Sequence, residues 1–404
     1  MIIRSDYIEK LLQAKDKNII KVLTGVRRCG KSTILTMFQS ELRNQGIKEE
    51  QIQEYNFEDL AFSDLLDYHA LYRRINDKLV EGKMNYLFLD EIQLVSNFER
   101  AIDSLFIKDN VDLYITGSNA YMLSGELATL LSGRYIEMQV YPLSLAEFYQ
   151  NFKGDRYQTF QRYLDNGGFP FTTEIHNEQT YKDYVDGIVN TVLMKDVLSR
   201  KKRSDTTLVK QIASFLTDTA GSLVTIKKIA DTLTSLGQKT TSDTVLTYLS
   251  AFQEAFLFYR SDRYDVVGKR YLSINSKYYP VDQALRRVLL GSKRPNLGHR
   301  LESIVYIELK RRGYEIYVGN IGNLEIDFVA IKDGITEYYQ VSLTLADDKI
   351  YTREAAPLKE IKDNYRKILL TQDLGNYNDA GIEQINIVDW LLRTCLLSSS
   401  GESF

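Results

Sequence analysis

Cysteine, proline and long apolar runs are scarce in this sequence of 404 residues, which contains two cysteines, three histidines and five prolines. Cys29 and Cys395 are too few for a disulfide framework, and the histidines stand far apart without zinc-binding spacing. No segment approaches the roughly 20 apolar residues that span a bilayer, and the start, MIIRSDYIEK, lacks the apolar core of a signal peptide. We therefore expect a cytoplasmic protein without a zinc site or a membrane segment.

An excess of charge of one sign is also missing. The 51 basic and 54 acidic residues give a formal net charge of −3. Proteins whose whole surface attracts nucleic acid are usually strongly basic, so any DNA-binding surface here must be local. A length of 404 residues predicts two or three domains.

A glycine-rich loop follows the first apolar run of the chain. Residues 19–24 are typical of a buried parallel strand and residues 34–43 of a helix, and the sequence GVRRCGKST between them fits the pattern GxxxxGK[ST] in full. Loop amides and a helix N-terminus bind phosphate, a lysine contacts the β- and γ-phosphates, and a hydroxyl binds Mg²⁺. The predicted nucleotide-binding residues are Gly25, Val26, Arg27, Arg28, Cys29, Gly30, Lys31, Ser32 and Thr33.

Two acidic residues end the apolar segment YLFLDE at residues 86–91. Ligands of open α/β sheets bind at the carboxyl ends of the strands, where these acids are expected. Asp90 is predicted to hold Mg²⁺ together with Ser32, and Glu91 to act as the general base that activates water. Further strands at residues 52–57, 111–116 and 135–140 complete a predicted parallel sheet of five strands.

Three more polar residues lie next to these strands. Asn119 follows the fourth strand and can contact the γ-phosphate or the attacking water, and Asn56 can restrain Glu91 until a ligand binds; both are also ordinary turn residues. Arg134 precedes the fifth strand, where an arginine can reach the nucleotide of a neighbouring subunit or form a surface salt bridge. The predicted catalytic residues are Glu91, Lys31, Asn119 and Arg134.

Several segments together resemble the AAA family of prokaryotic ATP-binding proteins that carry a C-terminal domain of unknown function, DUF4143. They are TGVRRCGKST, YLFLDEIQ, YITGSNA, LSGRYIEMQVYPLSLAEF, YLDNGGFP, YYPVDQALR and the tail at residues 301–345. The resemblance covers nearly the whole chain. It implies an α/β fold with an AAA-type ATPase core at residues 1–165, a helical lid or linker at 166–205, a winged-helix domain at 206–290 and a small restriction-endonuclease-like α/β domain at 291–404.

The middle of the chain also has the pattern of a winged helix by itself. Helical patterns at residues 208–219, 224–230 and 241–255 precede apolar strands at 257–260 and 271–274. Such a unit often inserts its third helix into the DNA major groove. Here that helix contains acids and no lysine or arginine, so a packing role is an equal alternative. The basic run from Arg200 to Arg203 can contact DNA phosphates or form a solvated surface.

The tail has the residue order of PD-(D/E)xK nucleases, which bind magnesium through carboxylates and use a lysine to activate water. Glu302 lies in a predicted helix, and Asp327 and Gln340 lie in two predicted strands. The lysine expected two positions after Gln340 is replaced by Ser342, so we expect a retained scaffold rather than active chemistry. Lys349 and Lys362 are candidates to replace the missing lysine.

The sequence as a whole predicts a magnesium-dependent protein that binds and hydrolyses ATP, can form homo-oligomers and couples its nucleotide state to DNA or a protein partner. One alternative is an ATP-regulated DNA nuclease, including one that defends against foreign DNA. Another is an interaction scaffold that binds ATP with little turnover. The Asp90–Glu91 pair argues against the scaffold, and Ser342 argues against the nuclease.

Overall fold

The computed structural model describes residues 2–120, 131, 133–152, 154–198, 205–291, 296–375 and 377–393. The chain divides into two units. The first comprises Ile3–Val140 and Glu254–Phe256, and the second comprises Tyr141–Gln253 and Leu257–Phe404. No helix within the described ranges has both the length and the apolar character needed to cross a bilayer. The basic run from Arg200 to Arg203 lies outside the described residues.

The first unit is built on a parallel sheet of five strands, which confirms the predicted α/β fold class. The strand order is β2-β3-β4-β1-β5, with β1 Ile20–Thr24, β2 Ile52–Asn56, β3 Asn85–Asp90, β4 Val111–Gly117 and β5 Tyr135–Gln139. Its helices are α1 Ser5–Ala14, α2 Lys31–Asn44, α3 Tyr68–Asn76 and α4 Phe98–Phe106, with short 3₁₀ segments at Glu49–Gln51, Leu60–Leu65 and Ile92–Leu94.

Burial explains why these segments form central strands. Every residue of β1 and β3 is buried. A parallel strand covered on both faces is selected for continuous apolar character rather than for alternation. Ile20, Val22, Leu87, Leu89 and Ile115 contribute to one shared core. The sheet thereby delivers the ends of β1 and β3 to the same edge.

The second unit contains mostly helices before its sheet. They are α5 Leu145–Tyr149, α6 Arg156–Asn166, α7 Glu178–Thr191, a π-helical segment Val192–Leu198, α8 Thr206–Asp218, α9 Ile226–Ser235, α10 Ser242–Glu254, α11 Ala284–Leu290, α12 Leu297–Arg311, α13 Asp348–Glu360 and α14 Ile387–Leu392. A short 3₁₀ segment lies at Pro170–Thr173.

The second unit also contains a mixed sheet of eight strands. Its order is β12-β13-β11-β10-β9-β8-β6-β7, with β6 Phe258–Asp265, β7 Arg270–Pro280, β8 Glu315–Ile321, β9 Leu324–Lys332, β10 Ile335–Ser342, β11 Arg366–Thr371, β12 Tyr377–Asp379 and β13 Ile382–Asn386. The neighbours β10 and β11 are parallel, whereas β8, β9 and β10 form an antiparallel meander.

The first unit ends at Val140, apart from Glu254–Phe256, and the domain boundaries expected after residues 165, 205 and 290 stay predictions. Residues from Tyr141 to Gln253 belong to the second unit, and Tyr141, Leu143, Phe148 and Tyr163 pack in one of its apolar cores. Three helices and a hairpin do occur in the predicted middle. However, strand β6 pairs with β8 in parallel, so the hairpin predicted as a wing continues into the sheet of the tail.

The tail contains the helix and the two strands expected around Glu302, Asp327 and Gln340. The predicted helix at 301–309 is the interior of α12, and the predicted strands at 325–330 and 338–342 lie within β9 and β10. Further along the tail, strand β13 ends at Asn386. The Asn386 side chain accepts hydrogen bonds from the amides of Val388 and Asp389, and this N-cap starts α14 instead.

Candidate functional site

The glycine-rich loop joins β1 to α2 in the first unit. Gly25 has a φ of 144°, and a Cβ atom at this position would lie 2.1 Å from the Val140 carbonyl oxygen. Gly30, with a φ of 104°, adopts the left-handed conformation directly before α2. Side chains rarely tolerate these angles, so the glycines are needed for the shape of the loop. The loop therefore places its amides and the N-terminus of α2 together.

Lys31 extends back over the loop from the first position of α2. Its side chain is almost fully buried, and Nζ donates hydrogen bonds to the carbonyl oxygens of Gly25 at 2.9 Å and Val26 at 3.4 Å. Ser32 and Thr33 are exposed at the same helix end. A buried ammonium group next to exposed hydroxyls and helix amides forms a site suited to an anion.

Asp90 ends strand β3 and is buried beside this loop. The Thr116 hydroxyl donates a hydrogen bond to Asp90 Oδ1, and Ser32 also contributes a hydrogen bond to this carboxylate. Burial raises the pKa of Asp90 above its usual value, although the hydrogen bonds from Thr116 and Ser32 act against the rise. Asp90 and Ser32 thus present two oxygen donors side by side.

Glu91 follows in a conformation that non-glycine residues rarely adopt. Its φ is 54° and its ψ is 46°, and its amide donates to the Thr116 hydroxyl at 2.9 Å. Its carboxylate lies 3.6 Å from Lys31 Nζ and accepts a hydrogen bond from Gln93. Burial alone would raise the pKa of Glu91, but the charge of Lys31 and the Gln93 hydrogen bond outweigh it and lower the pKa overall. The group is therefore ionised at neutral pH.

The other predicted residues of this unit have different surroundings. Asn119 is buried just beyond the end of β4. Asn56 lies opposite Asp90 in the strand register, but its Oδ1 accepts a hydrogen bond from the Glu58 amide at 3.0 Å. Arg134 forms a surface ion pair with Asp103 at 2.5 Å within the chain. The structure therefore leaves the proposed roles of these three residues as predictions.

The arginines in the loop face different environments. Arg27 pairs with Glu58 at 2.9 Å, and Arg28 is exposed with a positive φ of 65°. Cys29, which follows Arg28, is fully buried, and burial raises the pKa of its thiol. The loop thus presents Arg28 to solvent while it buries its central cysteine.

Sequence reasoning missed Arg4, which braces the loop from the N-terminus. Its side chain is buried, Nη1 donates to the Cys29 carbonyl oxygen at 2.9 Å, and the guanidinium stacks 4.6 Å from the centroid of the Tyr7 ring. A single arginine in the apolar start MIIRS, directly before α1, was the signal available in the sequence. A buried positive charge so close to the glycine-rich loop adds positive potential to it.

The three nuclease-like residues come together in the second unit around a residue that the sequence analysis missed. Lys277 of β7 is almost fully buried, and its Nζ lies 2.9 Å from Glu302, 2.8 Å from Glu325 and 3.8 Å from Asp327. The Tyr279 hydroxyl donates to the same Glu302 oxygen at 2.6 Å. The sequence signal was a lysine between one serine and two tyrosines in the strand segment SKYYP, which is unusual for a buried strand.

Backbone contacts hold the rest of this carboxylate cluster. Asp327 Oδ2 accepts a hydrogen bond from the Val341 amide at 2.9 Å, and Gln340 Oε1 accepts one from the Asp327 amide at 3.2 Å. Gln340 Nε2 donates to Glu354 at 3.0 Å. Burial and the nearby charge of Glu302 raise the pKa of Asp327 to about 8, although Lys277 opposes the rise. Strands β9 and β10 therefore position Asp327 and Gln340 side by side.

Neither Lys349 nor Lys362, the two lysines that the sequence suggested, takes the place of the nuclease lysine that is missing at Ser342. Ser342 is buried and donates to the Thr344 carbonyl oxygen at 3.0 Å, whereas Lys349 and Lys362 are exposed. Lys277 is 65 positions before Ser342 in the numbering, and only the pairing of β6 with β8 brings its hairpin into the sheet of the tail. The cluster of Lys277, Glu302, Glu325 and Asp327 is hereafter called the lysine–carboxylate cluster.

Two family models match the chain. Residues 17–149 match a family described as an AAA domain, and residues 157–296 match a domain of unknown function, DUF8612. The matching model after the AAA domain is therefore DUF8612 rather than the DUF4143 implied by the resemblance, and the DUF4143 assignment is not confirmed. The first match contains the glycine-rich loop, Asp90 and Glu91.

Relatives match over nearly the whole length. An uncharacterised protein of Haemophilus influenzae is 41% identical over 403 residues, which is 97% of this chain and 99% of the relative. An uncharacterised protein of Methanocaldococcus jannaschii is 31% identical over 393 residues, covering 92% of this chain and 85% of the relative. The solved structure of a Walker-type ATPase of Pyrococcus abyssi has a TM-score of 0.51 and 14% identity, covering 72% of this chain and 96% of that one, and it is similar in fold alone. The chain therefore belongs to the same family as these uncharacterised bacterial and archaeal proteins, with an AAA domain at residues 17–149.

Proposed function

We propose that the protein binds ATP with Mg²⁺ at the loop between β1 and α2 and hydrolyses it. The observation that carries this proposal is the meeting of the loop, the buried ammonium of Lys31 and the two acids Asp90 and Glu91 at one edge of a parallel sheet. A strand, a glycine loop and a helix in this order support phosphate binding because the loop amides and the helix N-terminus attract an anion.

Binding requires Lys31 to exchange partners. Its ammonium group now bonds to the carbonyl oxygens of Gly25 and Val26, and both bonds can be replaced by stronger, charge-assisted bonds to phosphate oxygens. The amides from Gly25 to Thr33 and the dipole of α2 act on the same anion. Arg4 supports the loop from behind through the Cys29 carbonyl.

The side chains of Ser32 and Asp90 fit a magnesium ion. They are neighbouring oxygen donors, one neutral and one anionic, as this hard cation requires. When bound, the metal would neutralise charge on the phosphate oxygens during transfer. Thr116 holds Asp90 through its hydroxyl and receives the Glu91 amide, so one residue orients both acids.

Glu91 is the residue that takes a proton from water in this proposal. Its lowered pKa keeps it ionised, and its left-handed backbone turns the carboxylate toward Lys31 instead of along the strand direction. A non-glycine residue in this region costs on the order of 1–3 kcal/mol, which is typical of functional sites. The strain therefore supports a catalytic position for Glu91.

The direct test is phosphate release from ATP by the full chain with Mg²⁺. Lys31→Ala should abolish nucleotide binding, whereas Glu91→Gln should bind ATP normally and lower turnover by roughly 10²–10⁴-fold, the usual contribution of a general base. Lys83→Ala, which removes an exposed lysine 3.9 Å from Glu50, is the matched control and should behave as wild type. Wild-type protein that neither binds ATP nor releases phosphate would contradict the proposal.

We further propose that the nucleotide state is coupled to DNA or a protein partner and that Arg134 acts between subunits. The support is the exposed position of Arg134 next to β5 and the presence of a second unit larger than the first. Helix α10, the third helix of the predicted winged helix, carries Asp243 and Glu254 and no basic residue, which favours packing over DNA contact. A protein partner is therefore the simpler choice for this face.

A second candidate function is cleavage of phosphodiester bonds at the lysine–carboxylate cluster. The observation that favours it is Lys277, which supplies the ammonium group that Ser342 lacks. The carboxylates of Glu302 and Asp327 are oxygen donors of the kind that magnesium binds, and the metal would supply Lewis-acid activation of a phosphate. Lys277 can position and polarise water once it no longer bridges both acids.

The test is incubation of the full chain with plasmid DNA and Mg²⁺ or Mn²⁺. Cleavage that is lost in Asp327→Asn and in Lys277→Met, but kept in Lys31→Ala, would support this candidate. Lys349→Met, which changes an exposed lysine of the same unit, is the control. Intact plasmid under all conditions, from protein that still hydrolyses ATP, would reject the nuclease and leave the ATPase proposal standing.

A further inference from the structure

The second unit contains a cavity of about 560 Å³ whose walls carry more positive than negative charge. Arg162 and Asp165 of α6, Glu178 of α7, Arg286 and Arg287 of α11, and Arg300 of α12 line it. Four guanidinium groups thus meet two carboxylates. The remaining lining is mainly polar, with the amide side chains of three glutamines and an asparagine.

Two of the four arginines are balanced by the acids. Arg300 is almost fully buried and donates from Nη2 to Asp165 at 2.8 Å, and Arg287 donates to Glu178. Arg300 Nε is buried and has no hydrogen-bond partner among the residues that the structure describes. Arg300 therefore has an unsatisfied donor in addition to its ion pair with Asp165.

The other two arginines have no carboxylate at ion-pair distance within the described part of the chain. Arg286 donates from Nη1 to the Thr217 carbonyl oxygen at 3.1 Å, and Arg162 stacks 4.3 Å from the centroid of the Phe152 ring. Burial and the neighbouring charge of Arg300 lower the pKa of Arg286, although the charge of Asp218 acts in the opposite direction. Like charges held together in this way repel, and an anion bound between them would relieve the repulsion.

Phosphate is the anion that this arrangement suits best. A terminal phosphate carries close to two negative charges and three acceptor oxygens, so it can use several guanidinium forks at once. The cavity volume of about 560 Å³ lies within the range of small-molecule sites, roughly 300–1,000 Å³. The amide groups can serve as donors and acceptors for the rest of a ligand of nucleotide size.

We infer that this cavity, the arginine cavity, binds a small phosphorylated molecule of nucleotide size through Arg162, Arg286 and Arg300. The site lies entirely in the second unit and shares no residue with the loop between β1 and α2. It therefore stands independently of the proposed ATPase and can sense a second ligand. In this proposal the ligand binds while Asp165 stays paired with Arg300 and Glu178 stays paired with Arg287.

The test uses the full chain with Lys31→Ala, so that the proposed ATP site contributes little, and titrates inorganic phosphate, AMP and adenosine by calorimetry at constant ionic strength. Saturable binding of AMP and phosphate at up to millimolar concentrations is expected, with much weaker binding of adenosine. Adding Arg286→Met or Arg162→Met should weaken AMP binding at least tenfold each. Arg353→Met, an exposed arginine of the same unit, should leave it unchanged.

Several results would overturn the inference. Unchanged AMP affinity in Arg286→Met and Arg162→Met would show that these arginines do not bind the phosphate. Adenosine binding as tight as AMP binding would show that the cavity does not recognise phosphate. Binding of a thymidine hexanucleotide without any binding of AMP or phosphate would identify a nucleic-acid surface instead. Circular dichroism of each variant shows that it is folded, and ATP binding by the same variants with Lys31 restored shows that the first site is intact.

Discussion

Lys277 Nζ lies 2.9 Å from Glu302 Oε1, although the two residues are 25 positions apart in the sequence. Burial alone would lower the pKa of Lys277, but the charges of Glu302, Asp327 and Glu325 outweigh it and raise the pKa overall. The ammonium group therefore remains charged inside the second unit. It neutralises carboxylates that would otherwise be buried alone, and this makes the cluster a centre of stability as well as a candidate site.

Replacing this ammonium should destabilise the second unit strongly. Lys277→Met keeps a side chain of similar length but leaves Glu302 and Asp327 without their cation, which costs about 3–5 kcal/mol of unfolding free energy. Adding Glu302→Gln should recover part of that loss because one buried charge disappears. The single tryptophan, Trp390, lies in the core of this unit, so its fluorescence during urea unfolding measures the change.

The matched control is Lys359→Met. Lys359 lies 3.5 Å from Asp379 in a pair whose side chains are 45% and 60% exposed. Exposed pairs of this kind contribute about 0–1 kcal/mol. Equal losses for Lys277→Met and Lys359→Met would show that burial of the cluster has no energetic consequence.

The stability of the second unit should fall as pH rises from about 4 to about 8 because of Asp327. Folding raises the pKa of this carboxyl from 3.8 to about 8, so the folded state holds the proton more tightly. The resulting stabilisation is fully present below the unfolded pKa and is lost as pH rises through the folded pKa. Asp327→Asn, which keeps an oxygen acceptor for the Val341 amide, should flatten this slope in urea titrations followed by Trp390.

Asp282 provides an internal comparison for the pH experiment. Burial raises its pKa to about 7, so it acts in the same direction over a narrower range. Asp327→Asn should therefore remove only part of the slope, mainly its upper end. The explanation fails when wild type and Asp327→Asn lose stability equally between pH 6 and pH 8, the interval below the folded pKa of about 8.

Two glycines of the second unit should respond to alanine with opposite signs. Gly167 has a φ of 72°, and a Cβ atom there would lie 1.8 Å from Asp282 Oδ1 and 2.7 Å from the Ala284 amide nitrogen. Gly167→Ala should lower stability by about 2–5 kcal/mol through backbone strain and overpacking. Gly187 lies within α7 with no heavy atom within 4 Å of an added Cβ, so Gly187→Ala should raise stability by about 0.5–1 kcal/mol.

Thermal or urea unfolding of both variants measures this difference. A small effect at Gly167 would mean that the turn can move away from Asp282, which also accepts a hydrogen bond from the Gly168 amide at 2.7 Å. A loss of stability at Gly187 would show instead that α7 has a close neighbour in solution.

Arg134 should act on the nucleotide of a neighbouring subunit. Arg134→Ala and Lys31→Ala proteins should each have little ATPase activity, whereas a mixture should recover roughly a quarter of wild-type turnover, because random head-to-tail assembly combines an intact arginine with an intact loop at one interface in four. Phosphate release from mixed and unmixed samples measures the recovery.

The control for this experiment mixes Lys31→Ala with Glu91→Gln. Both changes damage the same site within one subunit, so their mixture should stay inactive. Asp103→Ala, which removes the partner of Arg134 within the chain, should keep activity. Absence of recovery in the Arg134→Ala mixture would assign Arg134 to its surface ion pair alone.

The strand, glycine-rich loop and helix around Lys31 could be predicted because these parts are contiguous. A buried strand, a loop with Gly25 and Gly30 and a helix beginning at Lys31 occupy one stretch, and each is dictated by local backbone preferences. Asp90 and Glu91 were predictable as well, since strand ends in a parallel sheet converge on one edge. Arg4 was not, because its contact with Cys29 depends on how α1 packs.

In the second unit, sequence patterns did not predict which distant residues come into contact. Glu302, Asp327 and Gln340 were found from their spacing, but Lys277 was missed because the pattern places the lysine after Gln340. The wing was predicted as a separate hairpin, since strand propensity does not reveal which sheet a strand will join.

The sequence by itself determined the α/β class, the five parallel strands and the glycine-rich loop, because strand burial, glycine geometry and helix initiation are properties of short segments. Only the tertiary structure decided which lysine meets the carboxylates, where the chain divides and which arginines share a cavity. Those outcomes depend on contacts between residues distant in sequence, whose partners are selected by packing and by the need to neutralise buried charge.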